Sequence, residues 1–232
     1  AGTHHEGLAE ELRSLELAAH CIQARSVGGD YYDFLDLGPA HVGIVLADVS
    51  GKGIHAALLM ANLQAHLRSQ SGISPQDPLR VLRHVNHLLW KSTDPGHFAT
   101  LFFGIYSDAS RRLTFVNCGH NPPICLRQNG SVEMLAATAT VLGAFEDWEC
   151  SLGRTQLAPG DLLVAYSDGI TEASRGQDPN EDQYGEERLV RVVREHAHRS
   201  AEDIAAAILG SVQEFGAGEQ SDDLTLGVAR AR

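Results

Sequence analysis

The hydrophobic pattern of this chain changes its period twice, and the resulting order of elements limits the folds open to it. Strand-like segments come first, at 15–24, 31–37 and 41–49. They are followed by two helical stretches and then by six short β-like pieces between 98 and 168. The chain continues with two more helices and a last strand in DDLTLGVAR. Because helices come in pairs and do not alternate singly with strands, this order predicts an α+β protein. We expect a four-layer α-β-β-α sandwich, with helix pairs flanking two antiparallel sheets.

The first helical stretch, 53–70, carries two apolar faces at helical spacing. One face has Leu59, Leu63 and Leu67, and the other has Ile54, Ala57, Leu58, Ala61 and Ala65. We therefore expect this helix to be buried on two sides. The next helix should begin at Asp77-Pro78, an N-cap followed by proline at the first helical position. Ser200 with Asp203 three residues on predicts a capping box at the start of the last helix.

Length and composition favour one domain. The chain has 232 residues, of which 43% are apolar, and this is enough for a sizeable core. No internal repeat or low-complexity linker divides it, so we assign 15–232 to a single domain. The first 14 residues, which begin AGTHHEG, are interpreted as a residual N-terminal linker or a cloning remnant.

The charge balance excludes several classes of function. Against 18 Lys and Arg stand 30 Asp and Glu, a net charge of −12 that disfavours unspecific nucleic-acid binding and is compatible with divalent cations. The four cysteines contain no C-x-x-C pair, so a thiolate zinc site is not expected. No apolar run approaches the roughly 18 residues of a membrane span. We expect a cytoplasmic protein without a membrane span.

Acidic residues stand where apolar strands end. Asp30 follows Gly28-Gly29, Asp48 ends VGIVLAD, and Asp168 ends LLVAYSD, while Asp222 and Asp223 begin DDLTLGV. Carboxylates at the edge of a core are costly unless they are paired or metal-bound, and hard cations such as Mg²⁺ prefer oxygen ligands. A single aspartate in a turn is usually structural, so spacing alone leaves turn chemistry and a metal site both open. The two glycines are expected to let the chain bend and aim Asp30 into the site.

The segment SGKG (50–53) invites comparison with a nucleotide-binding phosphate loop. The complete pattern G-x-x-x-x-G-K-[ST] is absent, so nucleotide binding is not favoured.

Six ordered motifs carry a specific resemblance, which spans 15–230. VGGDYYD, ADVSGKGIHAALLMA, FATLFFGIY, NCGHNPP, LLVAYSDGITEA and DDLTLGV resemble the SpoIIE/RsbU-like branch of the PPM phosphatases, the protein phosphatase 2C-like, metal-dependent serine/threonine enzymes. This resemblance implies the α-β-β-α sandwich. It also implies hydrolysis of phosphoserine or phosphothreonine by a hydroxide bridging two Mn²⁺ or Mg²⁺ ions.

Carried over by motif, the resemblance implies a role for each acid. Asp48 would bridge both ions, and the Val49 carbonyl would bind one of them. Asp168 and Asp222 would complete the first ion's shell, and Asp30 would act on the second ion through water. Asp223 is the alternative to Asp222, because many relatives have asparagine there. The implied catalytic carboxylates are thus Asp30, Asp48, Asp168 and Asp222.

Substrate phosphate needs cations or polar partners as well. Arg25, five residues before Asp30, is a candidate phosphate clamp, and a solvated arginine is the equal alternative. Lys52 would help electrostatically or else cap the following helix. His120 and Asn121 would shape the substrate site, the alternative being turn chemistry in NPP. Asp33 is expected to be a solvated strand residue.

The resemblance also implies a regulatory setting. Such domains typically follow sensor domains and dephosphorylate STAS-type anti-anti-sigma factors in partner-switching stress or developmental signalling. An upstream sensor domain is absent from this chain, and a homodimer is expected only in a full-length protein. The alternative is a non-catalytic pseudophosphatase of the same fold that senses a partner.

Overall fold

The computed structural model describes residues 12–24, 28–94, 96–175, 182–216, 220 and 222–232, which form ten strands and five helices. The strands are β1 (Leu15–Ile22), β2 (Asp30–Asp36), β3 (His41–Val49), β4 (Ala99–Ser107), β5 (Arg112–Cys118), β6 (Ile124–Leu126), β7 (Val132–Met134), β8 (Gly153–Gln156), β9 (Leu162–Tyr166) and β10 (Leu224–Ala231). The helices are α1 (Ile54–Ile73), α2 (Pro78–Ser92), α3 (Asp168–Thr171), α4 (Gly185–His196) and α5 (Ala201–Phe215).

The strands form two five-stranded antiparallel sheets. One has the order β2-β3-β4-β5-β8, and the other β1-β10-β9-β6-β7. In the first sheet β3 is an interior strand and is almost wholly buried, as its continuous apolar sequence predicts. In the second sheet β10, the last strand of the chain, lies between β1 and β9. The first and last strands of the described chain are therefore paired in the second sheet.

Three hydrophobic clusters separate four layers. One cluster packs α1 and α2 on the first sheet and includes Leu63 and Phe103. A second packs α4 and α5 on the other sheet and includes Ile208. The third lies between the sheets and includes Phe102 and Leu163. Side chains alternate between the faces of a strand, so neighbours Phe102 and Phe103 belong to different clusters. The predicted α-β-β-α arrangement is confirmed.

Helix ends follow the sequence signals closely. The Asp77 carboxylate accepts a hydrogen bond from the Arg80 amide at 3.0 Å, with Pro78 in the first turn. The Ser200 hydroxyl accepts from the Asp203 amide at 3.1 Å. Both predicted caps are confirmed. No helix in the described ranges is long and apolar enough to cross a membrane.

Burial of α1 on two sides was a wrong expectation. Leu59, Leu63 and Leu67 are buried against the first sheet, whereas Ile54 and Leu58 are 72% and 65% exposed. The helix has only one partner layer, because α1 and α2 are the outermost layer on that side of the sandwich. Its second apolar face therefore lies on the surface of the described chain.

Asp33 is also not solvated: only 1% of it is exposed. It lies two residues after Tyr31 on β2, so both side chains point to the face that α1 covers. The Asp33 carboxylate accepts hydrogen bonds from the Tyr31 hydroxyl and, at 2.7 Å, from the Arg68 Nε on α1. A buried carboxylate is tolerated here because an arginine and a hydroxyl compensate its desolvation.

The two faces of α1 predict opposite outcomes for one substitution. Leu63→Ala should lower the free energy of unfolding by about 2–5 kcal/mol, because Leu63 is fully buried in the cluster under α1. Leu58→Ala should change it by no more than about 0.5 kcal/mol, because that side chain is mostly exposed. Urea unfolding of the isolated domain measures both. Similar losses for the two variants would contradict the one-sided burial of α1.

Candidate active site at the ends of the two sheets

Asp30 and Asp48 face one another across the first sheet. Asp30 begins β2, Asp48 lies near the end of β3, and the two are register partners. Thr100, on β4, is the next register partner of Asp48. The sheet thus places Asp30, Asp48 and Thr100 side by side on adjacent strands.

The second sheet brings the other acids to the same place. Asp168 directly follows the short connection after β9, and Asp222 and Asp223 precede β10, the neighbour of β9. The Ser167 hydroxyl ties the two strand ends, since it accepts from the Thr225 amide at 3.0 Å and donates to the Asp223 carbonyl at 3.2 Å. Antiparallel pairing therefore converts acids about fifty residues apart in sequence into neighbours.

A cavity of about 340 Å³ opens where the two groups meet. Carboxylates from both sheets line it, together with the loop between β3 and α1. Its lining includes Gly28, Asp48, Thr100, Asp168, Asp222 and Asp223. Asp30 is not among the lining residues; it lies beneath them, next to Asp48.

Burial and mutual repulsion shift these carboxyl groups toward the protonated form. The pKa of Asp30 is raised to about 8, mainly by burial and also by the Asp48 and Asp223 charges, although hydrogen bonds from the Thr225 and Ser167 hydroxyls lower it. Burial also raises the pKa of Asp48 to about 7, helped by the charges of Asp168 and Asp222. The pKa of Asp168 is raised by burial and then by Asp222. Removal of the carboxylates from water, with like charges nearby, produces this pattern.

The glycines allow close approach between neighbouring segments of the site. A Cβ on Gly28 would lie 1.9 Å from an Asp223 carboxylate oxygen, and one on Gly29 would lie 3.1 Å from Asp48 Oδ1. The predicted bend that would aim Asp30 into the site stays a prediction. Gly169 likewise leaves room for the Asp223 carbonyl, 2.1 Å from where its Cβ would be.

Asp222 and Asp223 differ in their surroundings. Asp223 is buried, and its Oδ1 accepts a hydrogen bond from the Ala24 amide at 2.9 Å. The Asp222 side chain is half exposed, and its Oδ2 accepts from Lys52 Nζ at 3.0 Å. Asp222 is thus the more accessible of the two carboxylates, whereas Asp223 holds the backbone at Ala24.

The predicted substrate residues fall in different places. Arg25 lies outside the described residues. Lys52 lines the cavity and pairs with Asp222; the N-cap of α1 is Gly53, without a side-chain cap. His120 is buried behind Thr100, and neither His120 nor Asn121 lines the cavity.

Two groups of residues escaped the sequence reasoning. Thr100 lies on the cavity wall, and its register partnership with Asp48 was the missing signal, since FATLFFGIY was read only as a strand. Ser167 and Thr225 were not singled out, although Ser167 directly precedes Asp168 and Thr225 is two residues after Asp223. The pairing of neighbouring strands, and not residue type, identifies Thr100, Ser167 and Thr225 as residues of the site.

The arrangement suits a hard divalent cation. Asp30 Oδ2 is buried without a hydrogen-bond partner, and the carboxylates repel one another, so a cation would relieve both costs. All of the predicted ligands offer oxygen, which Mg²⁺ and Mn²⁺ prefer. Within the described ranges, no group of three or more His, Cys, Asp or Glu side chains could hold an ion as it stands. The sheets hold the backbones of these acids close together, so rotations of their side chains would be enough to bring the oxygens onto an ion.

Comparison with known proteins now identifies the chain. The model of the family described as Stage II sporulation protein E (SpoIIE) matches residues 38–232. The chain belongs to the SpoIIE family. It is 30% identical over 223 residues to phosphoserine phosphatase RsbU of Bacillus subtilis, covering 94% of this chain and 64% of that protein. It spans between 38% and 64% of the length of three curated relatives.

Solved structures share the fold. The SiaA-PP2C domain of Pseudomonas aeruginosa has a TM-score of 0.84 at 19% identity, covering 97% of this chain and 89% of that one. The RsbU and RsbW domains of Rv1364c from Mycobacterium tuberculosis give 0.80 at 23% identity, covering 94% and 60%. The catalytic domain of PstP, solved in complex with two manganese ions, gives 0.66 at 19% identity, covering 94% and 98%. The SpoIIE-family chain therefore has a PP2C-type fold.

The raised pKa values predict how stability depends on pH when metal is chelated. Folded Asp30 keeps its proton up to about pH 8, whereas an unfolded aspartate loses it near its ordinary pKa of about 3.9. Between these values the unfolded state binds fewer protons, so the free energy of unfolding should fall as pH rises. Asp30→Asn should weaken this fall, measured as the melting temperature in EDTA from about pH 5 to pH 8.

The matched control is Asp147→Asn, an exposed aspartate that does not line the cavity. Its melting temperature should follow the unsubstituted protein across the same pH range. An Asp30→Asn profile parallel to both would contradict the electrostatic description of the site.

Proposed function

We propose that this chain is the catalytic domain of a metal-dependent protein phosphatase that hydrolyses phosphoserine or phosphothreonine. The observation that carries the proposal is the convergence of Asp48, Asp168 and Asp222 from the ends of both sheets on one cavity, with Asp30 beneath it beside Asp48. Burial, reinforced by mutual repulsion, makes that convergence costly, and a structural role does not explain the cost. Membership of the SpoIIE family and the name of RsbU support the same activity.

Two Mn²⁺ or Mg²⁺ ions are the proposed cofactors. Asp48 would serve both, with the Val49 carbonyl, Asp168 and Asp222 on one and Asp30 on the other through water; Asp223 is the alternative ligand to Asp222. The manganese complex of PstP and a magnesium complex of RsbX, two proteins of similar fold, support this choice. When bound, such ions supply an activated water and offset the charge of a phosphoryl group.

The chain's own residues would bind and orient the phosphate. Lys52 is the cation on the described cavity wall, held 3.0 Å from Asp222. Once the charge of Asp222 is compensated, the flexible lysine side chain is free to pair with a phosphate oxygen. Arg25 is proposed as a second phosphate ligand on the ground of the family resemblance. His120 and Asn121 are not proposed as direct contacts, since neither lines the cavity.

The proposed substrate is a phosphorylated STAS-type anti-anti-sigma factor. Similarity to RsbU and to a structure that joins RsbU and RsbW domains supports a partner-switching pathway. An upstream sensor domain and homodimerisation would belong to a longer protein. A folded phosphorylated STAS domain should be dephosphorylated with a higher kcat/KM than a peptide carrying the same phosphoserine; equal values would contradict this substrate.

Activity should depend on Asp48 and on divalent metal. The protein should hydrolyse a phosphoserine peptide with Mn²⁺ and lose that activity in EDTA. Asp48→Asn should lower kcat/KM by more than about 100-fold, beyond the roughly 10- to 100-fold typical of changes outside the metal shell. It should also weaken Mn²⁺ binding measured by calorimetry.

Asp36→Asn is the matched control, because Asp36 is an exposed acid at the opposite end of the same β2–β3 hairpin. It should retain full activity and metal binding. Unchanged hydrolysis by Asp48→Asn would exclude the proposed site. Metal binding without hydrolysis in the unsubstituted protein would favour the pseudophosphatase alternative.

The role of Lys52 predicts a different kinetic signature. Lys52→Gln should raise KM for a phosphoserine substrate with a smaller change in kcat, because a phosphate contact made before and during reaction contributes uniform binding. Steady-state kinetics at saturating Mn²⁺ separates the two parameters. Lys91→Gln, on the exposed surface of α2, should leave both unchanged. A fall in kcat alone would contradict this assignment.

A further inference from the structure

The buried imidazole of His120 lies one hydrogen bond away from the cavity. Its Nδ1 is 2.9 Å from the hydroxyl oxygen of Thr100, and Thr100 lines the cavity beside its register partner Asp48. His120 itself is only 4% exposed and reaches the cavity through that hydroxyl. The sequence motif NCGHNPP thus contributes a residue behind the wall of the site.

Asn117 holds His120 in place. The His120 amide donates to Asn117 Oδ1 at 2.9 Å, and Asn117 Nδ2 donates to the Leu135 carbonyl at 3.0 Å. Asn117 is fully buried, and Gly119, between the two, has a φ of 66°, which favours glycine. The turn is therefore rigidly specified, and so is the position from which the imidazole meets Thr100.

The surroundings of the ring decide which nitrogen carries the proton. Burial lowers the pKa of His120 to about 4, so the ring is neutral near pH 7 and has one N–H. The Tyr166 backbone favours a proton on the ring, which means that it presents an acceptor to the imidazole. Nε2 completes no hydrogen bond of normal geometry in the described structure. Because Nδ1 is directed at the Thr100 hydroxyl, we place the proton on Nε2, and Nδ1 is then an acceptor.

The Thr100 hydroxyl has two possible acceptors for its single proton. One is His120 Nδ1 at 2.9 Å, and the other is the Asp48 carbonyl at 3.4 Å. The second distance is long for a hydroxyl donor, whose bonds usually measure about 2.5–3.0 Å. The imidazole is thus the better partner.

We propose that His120 is a positioning residue that accepts the Thr100 hydroxyl proton and so turns the oxygen lone pairs of Thr100 toward the cavity. Thr100 then accepts a hydrogen bond from a water molecule beside Asp48 and orients it for reaction with a phosphoryl group. This catalytic part rests on the proposed phosphatase function. The direction of the hydrogen bond between Thr100 and His120 does not.

A double-mutant cycle tests the coupling. Thr100→Val and His120→Phe keep side-chain shape but remove the hydrogen bond, and each should lower kcat by about 10- to 100-fold with little change in KM. The double variant should be no slower than Thr100→Val alone, because His120 acts only through that hydroxyl. Thr100→Ser should restore most of the activity when His120 is present.

Thr114→Val is the matched control, since Thr114 is a partly exposed threonine on β5 that does not line the cavity. It should retain the kcat of the unsubstituted protein. Additive losses in the double variant, or full activity in Thr100→Val, would overturn the proposal.

Nitrogen-15 NMR of the metal-free protein tests the hydrogen-bond direction without any activity measurement. The His120 ring should give the signature of a neutral imidazole protonated at Nε2, unchanged between about pH 6 and pH 8. A ring protonated at Nδ1 would overturn the proposal even if His120→Phe failed to fold. Absence of phosphatase activity with the expected spectrum would remove the proposed function and the catalytic role of Thr100, but not the hydrogen bond.

Discussion

The burial of several carboxylates close to one another is the constraint on which the rest of the site depends. Asp30 and Asp48 are register partners on β2 and β3, and Asp168 and Asp222 adjoin the paired strands β9 and β10, so the sheets hold the backbones of these acids close together. The three hydrophobic clusters of the sandwich offset this unfavourable free energy. A cation converts the same arrangement from a cost into a binding site, which is why metal binding and stability should be coupled.

Sequence reasoning was most successful where local chemistry decides the structure. Paired helices between groups of strands predicted the four layers, and the caps at Asp77 and Ser200 were correct because each depends on residues only three positions apart. It failed for Asp33 and for the second face of α1. Both errors concern which element packs on a given face of a strand or helix. That depends on the order of the layers and not on the sequence of the strand or helix itself.

The candidate site shows the same division. The acids Asp48, Asp168 and Asp222 were found because strands that end in acids are unusual in an apolar sequence, and the structure brings them to one cavity. Thr100 was missed because only β3–β4 register places it beside Asp48. His120 was found, but its depth was not, since no sequence pattern distinguishes a side chain in a cavity wall from one behind it.

A residue that lines the cavity and a residue buried behind that lining have different chemical roles. A group that touches water in the cavity must change its hydrogen bonds during reaction, whereas a buried group can keep one bond throughout. His120, neutral and enclosed, is suited to the second task, and the Thr100 hydroxyl, half-buried between the imidazole and the cavity, to the first. The hydrogen bond between His120 and Thr100 would thus keep its direction next to carboxylates whose own protonation depends on metal. The orientation of a water molecule bound to Thr100 would then not vary with the charge of those carboxylates.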